Sequence, residues 1–149
     1  MRDLELRLLQ VLLWFASLSH VVIGAGIMLS PEFQQTIASV YGAKPDWTPQ
    51  LVYILRTLGA FMFVWGILIA IAALNPPRHR LIIYGLCGVL LIRVAQRVLL
   101  QETIQEAFNI SSARNLAMAG LFLLEAVAIA ALTYRVGEKS AAGPSLQSS

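Results

Sequence analysis

Four apolar segments, each about as long as a membrane-spanning helix, constrain the fold of this chain more than any other feature. They cover residues 8–29, 51–74, 80–101 and 116–134. A helix needs about 20 mainly apolar residues to cross the hydrocarbon core of a bilayer. Only 13% of the 149 residues are charged and 58% are apolar, whereas soluble domains contain about 25% charged residues. The sequence therefore predicts an all-α integral membrane protein whose main surrounding is the lipid bilayer.

The segments between the apolar runs predict how the helices are connected. Residues 30–32 read Ser-Pro-Glu, the residue types that start a helix, and apolar residues then recur at helical spacing. This pattern predicts a short interfacial amphipathic helix over residues 31–41. Two adjacent prolines within residues 75–80 predict a tight reversal, because neither proline can continue a helix. The expected architecture is an up-and-down bundle of four membrane helices with the interfacial helix after the first.

The lysines and arginines outside the apolar runs predict how the bundle is oriented. We expect one membrane domain over residues 1–135 and a disordered tail over residues 136–149, which are rich in Ser, Gly and Pro. One end of this bundle carries six basic residues and the other end two: Arg2, Arg7, Arg78, Arg80, Arg135 and Lys139 against Lys44 and Arg114. Because the cytoplasmic side of a membrane protein is enriched in such residues, both termini are predicted to be cytoplasmic, in the cell (inner) membrane.

Several classes of function are disfavoured by the composition. The net charge of +3 comes from scattered basic residues, which do not form the patch that nucleic acids require. Cys87 is the only cysteine, so an intramolecular disulfide is impossible. His20 and His79 lie at opposite ends of the predicted bundle, which disfavours haem binding between them. We recognise no catalytic or metal-binding motif, and the sequence predicts neither an enzyme nor a metal site.

Polar side chains inside the apolar runs are the candidate binding residues. An ionisable residue at the centre of a membrane helix costs about 2.5–3.5 kcal/mol, so its presence indicates a function by default. With a rise of about 1.5 Å per residue, all of these side chains fall between the midplane and the predicted outer surface. The predicted ligand-binding layer contains His20, Arg56, Arg93, Gln96, Arg97 and Glu125.

Three arginines in this layer face one carboxylate, and two interpretations of the imbalance remain open. In the structural interpretation, Arg93 and Glu125 form a buried ion pair, and acidic residues at the rim neutralise the other two arginines. The acidic residues available there are Asp46, Glu102 and Glu106. In the functional interpretation, the arginines line a cavity that receives an anion or the polar head of an amphipathic ligand, because a guanidinium is always charged and offers a planar fork of donors.

The chain resembles the small four-helix bacterial membrane proteins of the DoxX-like families and the related BphX-like and DUF4345-type proteins. The residues that carry the resemblance are Gly24, Pro31, Tyr41, Gly42, Arg56, Gly59, Gly66 and Arg93. Some DoxX-like proteins are associated with quinone-linked or thiol redox complexes, so the resemblance implies a quinone or a membrane redox partner. The lone Cys87 disfavours thiol chemistry in this chain.

Three functional hypotheses follow. The first is a non-enzymatic multi-pass membrane protein that binds an amphipathic or anionic ligand, or a membrane protein partner, through the arginine layer. The second is a membrane-anchor subunit of a quinone-linked oxidoreductase, in which Arg93, Arg97 and His20 hold the quinone head group. The third is a small-anion transporter. The oligomeric state is left open.

Overall fold

The computed structural model describes residues 2–141, and this part of the chain is built from helices alone. They are α1 (Arg2–Leu29), α2 (Pro31–Tyr41), α3 (Pro49–Leu74), α4 (Arg80–Leu99), α5 (Gln101–Phe108) and α6 (Ser112–Ala141). Helices α1, α3, α4 and α6 are long and apolar enough to cross a membrane. The predicted all-α class with four spans is therefore confirmed. The protein is a multi-pass membrane protein.

Several helix ends differ from the predicted ones. Helix α1 begins at Arg2, before the apolar run, because a helix can continue through the polar N-terminal residues outside the lipid. The predicted third span ends at Leu99, and after Leu100 a separate amphipathic helix, α5, begins at Gln101. Helix α6 continues to Ala141, whereas the predicted tail begins at residue 136. Residues 142–149 lie outside the described part of the chain.

Helices α1 and α3 pack through small residues that lie one heptad apart on both helices. The Ser17 hydroxyl donates a hydrogen bond of 2.8 Å to the Gly66 carbonyl. A Cβ atom added to Gly59 would lie 2.7 Å from the Gly24 carbonyl oxygen. Small residues let two membrane helices approach closely, and a heptad spacing keeps one seam in contact along a left-handed crossing. The two backbones are therefore in direct contact.

Helices α4 and α6 form the second close pair. The buried residues of α6 recur at alternating spacings of four and three: Asn115, Ala119, Phe122, Ala126, Ile129, Thr133 and Val136. From α4, Leu86 and Leu90 are almost completely buried in the same core. This spacing is typical of the seam of a coiled coil.

The two pairs meet through α1 and α6, whereas α3 and α4 make few contacts with each other. The reversal between them is tight, as predicted: the Asn75 carbonyl accepts a hydrogen bond of 3.1 Å from the Arg78 amide. The helices diverge from this turn, which opens a groove between them. Large apolar side chains face outward on every long helix, for example Phe61 on α3, which is 70% exposed. Lipid is the solvent that suits such a surface.

Helices α2 and α5 cover one end of the bundle, and we refer to them, with the loop at residues 42–48, as the cap. Ser30 accepts a hydrogen bond from the Phe33 amide and starts α2, and Gly42 ends it at φ 72°. The start of this helix at Ser30 was predicted from the sequence. The Lys44 amide donates a hydrogen bond of 2.8 Å to the Phe108 carbonyl and joins the loop to α5. The cap lies at the end of the bundle that holds the arginine layer.

Candidate functional site

Side chains from three helices meet below the cap. His20 of α1, Arg93 of α4 and Glu125 of α6 are each half-buried, and the Glu125 carboxylate interacts electrostatically with both of the others. The His20 Nδ1 atom lies 2.8 Å from the Ala16 carbonyl oxygen. Because a carbonyl only accepts, Nδ1 carries the hydrogen of this bond, which leaves Nε2 available to another partner. The structure thus places His20 and Arg93 within electrostatic range of Glu125, and no ion pair of 4.0 Å or less joins them.

Arg93 packs on an aromatic ring and does not form the ion pair of the structural interpretation. Its guanidinium carbon lies 4.2 Å from the centroid of the Phe122 ring. Within residues 3–137 the one ion pair at 4.0 Å or less joins Arg135 to Glu5, so the expected contact between Arg93 and Glu125 is wrong. Phe122 lies one turn before Glu125 on the same helix and faces α4 in its place. A cation over an aromatic face gains about 0.5–2 kcal/mol.

Arg97 is held by Asn115, which the sequence analysis did not identify. The guanidinium donates a hydrogen bond of 2.8 Å to Asn115 Oδ1, and Asn115 Nδ2 donates one of 2.7 Å to the Arg97 carbonyl. The Arg97 guanidinium also lies 5.6 Å from the centroids of both the Tyr41 and the Phe122 rings. Asn115 is only 1% exposed. An amide on the heptad face of an apolar helix was the signal that could have revealed it.

The acidic residues at the rim do not neutralise the arginines. Asp46, Glu102 and Glu106 are exposed, and none of them forms an ion pair in the described part of the chain. The rim neutralisation expected in the structural interpretation is therefore wrong. The physical reason is that α5 turns its apolar residues, Ile104 and Phe108, toward the arginines, which directs its carboxylates outward.

Two cavities adjoin Arg93. The larger, of about 480 Å³, is the groove between α3 and α4, and its lining residues are His20, Leu58, Phe61, Met62, Trp65, Val89, Ile92, Arg93 and Gln96. The smaller, of about 270 Å³, lies beneath the cap and is lined by Tyr41, Ala43, Arg93, Gln96, Arg97, Ile104, Phe108 and Ile110. Since Arg93 and Gln96 line both, these two side chains separate the groove from the cavity beneath the cap.

Arg56 lies apart from the other predicted site residues. Its side chain is exposed, and it lines neither cavity. It sits only two turns from the start of α3 at Pro49. A long basic side chain so close to a helix end can extend to the membrane surface and keep its charge in water. Arg56 was expected in the ligand-binding layer, and the structure directs its side chain outward.

The fold and this site define a multi-pass membrane protein with an arginine-lined groove. No protein-family model, curated protein or solved structure matches the chain. The described residues contain no group of three or more side chains that could hold a metal ion. The arrangement offers hydrogen-bond donors and positive charge at one end of an apolar groove.

Proposed function

We propose that this membrane protein binds an amphipathic ligand, with the apolar part in the groove between α3 and α4 and the polar head at Arg93. The observation that carries the proposal is that the groove has polar side chains at one end and apolar walls elsewhere. Its walls are apolar, and its polar side chains, His20, Arg93 and Gln96, come from α1 and α4. At about 480 Å³ the groove has the size of small-molecule sites, which span roughly 300–1,000 Å³.

The donors at the polar end define the head group. Arg93 and Gln96 offer N–H donors to the groove. A ligand whose head carries acceptor oxygens or negative charge would bind to these donors. Binding of such an amphiphile needs no chemistry from the protein, in keeping with a non-enzymatic function.

A pair of matched variants tests the proposal. Val89 lines the groove, whereas Val127 on α6 faces the lipid and lines neither cavity. The purified protein is extracted with organic solvent, and co-purifying amphiphiles are quantified by mass spectrometry. We expect Val89→Trp to remove most of the bound amphiphile and Val127→Trp to retain it. Equal retention by the two variants would contradict the proposal.

A quinone head group is the second candidate, and the N–H donors of Arg93 and Gln96 in the groove favour it. A quinone carries two carbonyl acceptors, which these two side chains could satisfy. This candidate agrees with the resemblance to DoxX-like proteins, from which we infer a membrane-anchor subunit with a redox partner. An absorbance spectrum of the extract, taken before and after borohydride reduction, tests it. Quinone in stoichiometric amount supports it, and an extract without quinone contradicts it.

We also propose that the protein resides in the cell (inner) membrane with both termini cytoplasmic. The support is the uneven distribution of basic residues between the two ends of the bundle. In this orientation the cap and the arginine-lined groove belong to the outer half of the membrane.

A further inference from the structure

The cavity beneath the cap has more positive charge than the protein itself compensates. Arg93 and Arg97 both line it, and their guanidinium carbons lie 4.2 and 5.6 Å from the centroid of one ring, that of Phe122. The two charges repel each other. Glu125 offsets part of the Arg93 charge, but no carboxylate within residues 3–137 lies within 4.0 Å of either guanidinium. An anion would compensate the charge that remains.

Arg97 retains free donors for such an anion. Its bond to Asn115 uses Nη1, whereas a guanidinium carries five N–H groups in a fixed fork. The fork matches the spacing of oxygens on a phosphate or carboxylate. A phosphate monoester carries about −1.5 to −2 charges at pH 7 and three strong acceptor oxygens. It therefore suits two guanidinium groups better than a carboxylate, which has a single charge.

We propose that Arg93 and Arg97 together hold a phosphate-type anion, and that this anion is the head of a single-chain amphiphile whose tail occupies the groove. The inference rests on the proposed function and names the chemical class of its ligand. The two cavities adjoin, with Arg93 and Gln96 between them. A ligand whose head passes these two side chains would place its chain between α3 and α4 and its head beneath the cap. Lipid phosphates and free phosphate share this chemistry, and the position of the cavity next to an apolar groove favours the lipid.

The experiment compares the binding of three probes to the full-length protein. The protein is held in a detergent-free nanodisc made of phosphatidylcholine, which is a zwitterionic lipid. Lysophosphatidic acid with one myristoyl chain supplies both the phosphate head and the tail. Monomyristoylglycerol has the same tail without phosphate, and glycerol 3-phosphate has the head without the tail. We expect lysophosphatidic acid to bind more tightly than monomyristoylglycerol by about 10-fold or more, measured by competition with a fluorescent analogue.

Variants assign this preference to the two arginines. Arg93→Gln and Arg97→Gln are each expected to remove this preference, so that lysophosphatidic acid binds no more tightly than monomyristoylglycerol does to the same variant. Arg56→Gln is the matched control, because this arginine lies outside both cavities, and it should behave like the natural sequence. Arg97 also bonds Asn115, so Arg97→Gln can unfold the protein. Arg93→Gln does not touch that pair and provides the independent test.

The outcomes separate this inference from the proposed function. If both acyl probes bind equally and the Arg→Gln variants change neither affinity, the phosphate site is refuted and the amphiphile groove stands. If glycerol 3-phosphate alone binds, and binding depends on Arg93 and Arg97, the anion site is supported with free phosphate as its source, and the proposed groove function fails. If no probe binds, both are refuted.

Discussion

At the scale of single residues, the pair formed by Arg97 and Asn115 is the most specific interaction in the structure. Asn115 both accepts from and donates to Arg97, at 2.8 and 2.7 Å, and it is 1% exposed. We expect Asn115→Leu to lower the free energy of unfolding by about 1–3 kcal/mol, because the substitution leaves buried groups of Arg97 without partners. Unfolding in mixed detergent micelles, followed by circular dichroism, measures the change.

A double-mutant cycle checks that this loss belongs to the pair. Arg97→Met removes the guanidinium but keeps much of the apolar stem, and it is combined with Asn115→Leu. Residues in contact show a coupling energy, whereas independent sites add within about 0.3–0.5 kcal/mol. Additive losses would mean that Asn115 acts through packing alone and does not hold Arg97 in place.

Glu32, in the interfacial helix, provides a prediction that depends on pH. The Ser30 hydroxyl donates a hydrogen bond of 2.7 Å to Glu32 Oε2, and this bond lowers the pKa of the Glu32 carboxyl below its ordinary value. A lowered pKa in the folded state stabilises the protein at pH values above the ordinary pKa, and this contribution is lost as the pH falls through the lowered pKa. We expect Ser30→Ala to raise the pKa of Glu32 toward its ordinary value.

The measurement is an NMR titration of the Glu32 side chain in the natural sequence and in Ser30→Ala. Thr36→Ala serves as the control, because the Thr36 hydroxyl bonds to the Glu32 backbone carbonyl and leaves the carboxylate alone. An identical titration midpoint for Glu32 in Ser30→Ala and the natural sequence would show that the hydroxyl does not control its ionisation.

The sequence predicted part of this site because charged residues in apolar runs are visible without a structure. His20, Arg93 and Glu125 were placed at similar depths by the helical rise alone, and in the structure Glu125 interacts electrostatically with the other two. The side chains that these residues contact were not predictable in the same way. Whether Arg93 faces Glu125 or Phe122 depends on the rotation of α6 about its axis, which the heptad seam sets. For Arg56, the helical rise predicts a depth in the membrane, but it does not predict which side chains lie nearby.

At the scale of helices, the contact between α1 and α3 depends on glycines that leave no room for a side chain. A Cβ atom at Gly59 would lie 2.7 Å from both the Gly24 carbonyl oxygen and the Met28 amide nitrogen. These are backbone atoms, so the whole helix has to move. We expect Gly59→Ala to lower the thermal unfolding midpoint in detergent, despite the better helix propensity of alanine.

Gly120 is the matched control, because nothing lies within 4 Å of a Cβ added there on α6. Gly120→Ala should leave the protein as stable or more stable by about 0.5–1 kcal/mol, the usual gain of alanine over glycine inside a helix. If the two Gly→Ala variants unfold at the same temperature, close backbone contact between α1 and α3 is not a determinant of stability.

Hydropathy predicted the four spans, but the pairing of helices required packing information. The turn at residues 75–80 correctly indicated that α3 and α4 are consecutive and antiparallel, yet these helices contact each other little. The close partners are set by shape: Ser17 and Gly66 let α1 and α3 touch, and the regular seam on α6 selects α4. The groove therefore forms because α3 and α4 make few contacts with each other. No local sequence pattern in either helix predicts this lack of contact.

At the scale of the whole molecule, orientation decides which half of the membrane contains the groove. Four spans place the two ends of the chain on the same side, and basic residues are concentrated at the end that carries the turn between α3 and α4. The cap is then expected on the outer side. Two exposed positions can report on the orientation: Asp46 in the cap and Asn75 in the turn. Neither residue is a lysine or arginine, so replacing it does not change the distribution of basic residues between the two ends.

Single cysteines at these positions, in a Cys87→Ala background, test the orientation with a membrane-impermeant maleimide. We expect Asp46→Cys to be labelled in intact cells and Asn75→Cys to be labelled only after the cells are permeabilised. Gly120→Cys, within a span and facing lipid, should resist labelling in both conditions because thiolates do not form in hydrocarbon. The reverse pattern at residues 46 and 75 would place the arginine-lined groove in the cytoplasmic half, where an amphiphile would have to enter from the inner leaflet.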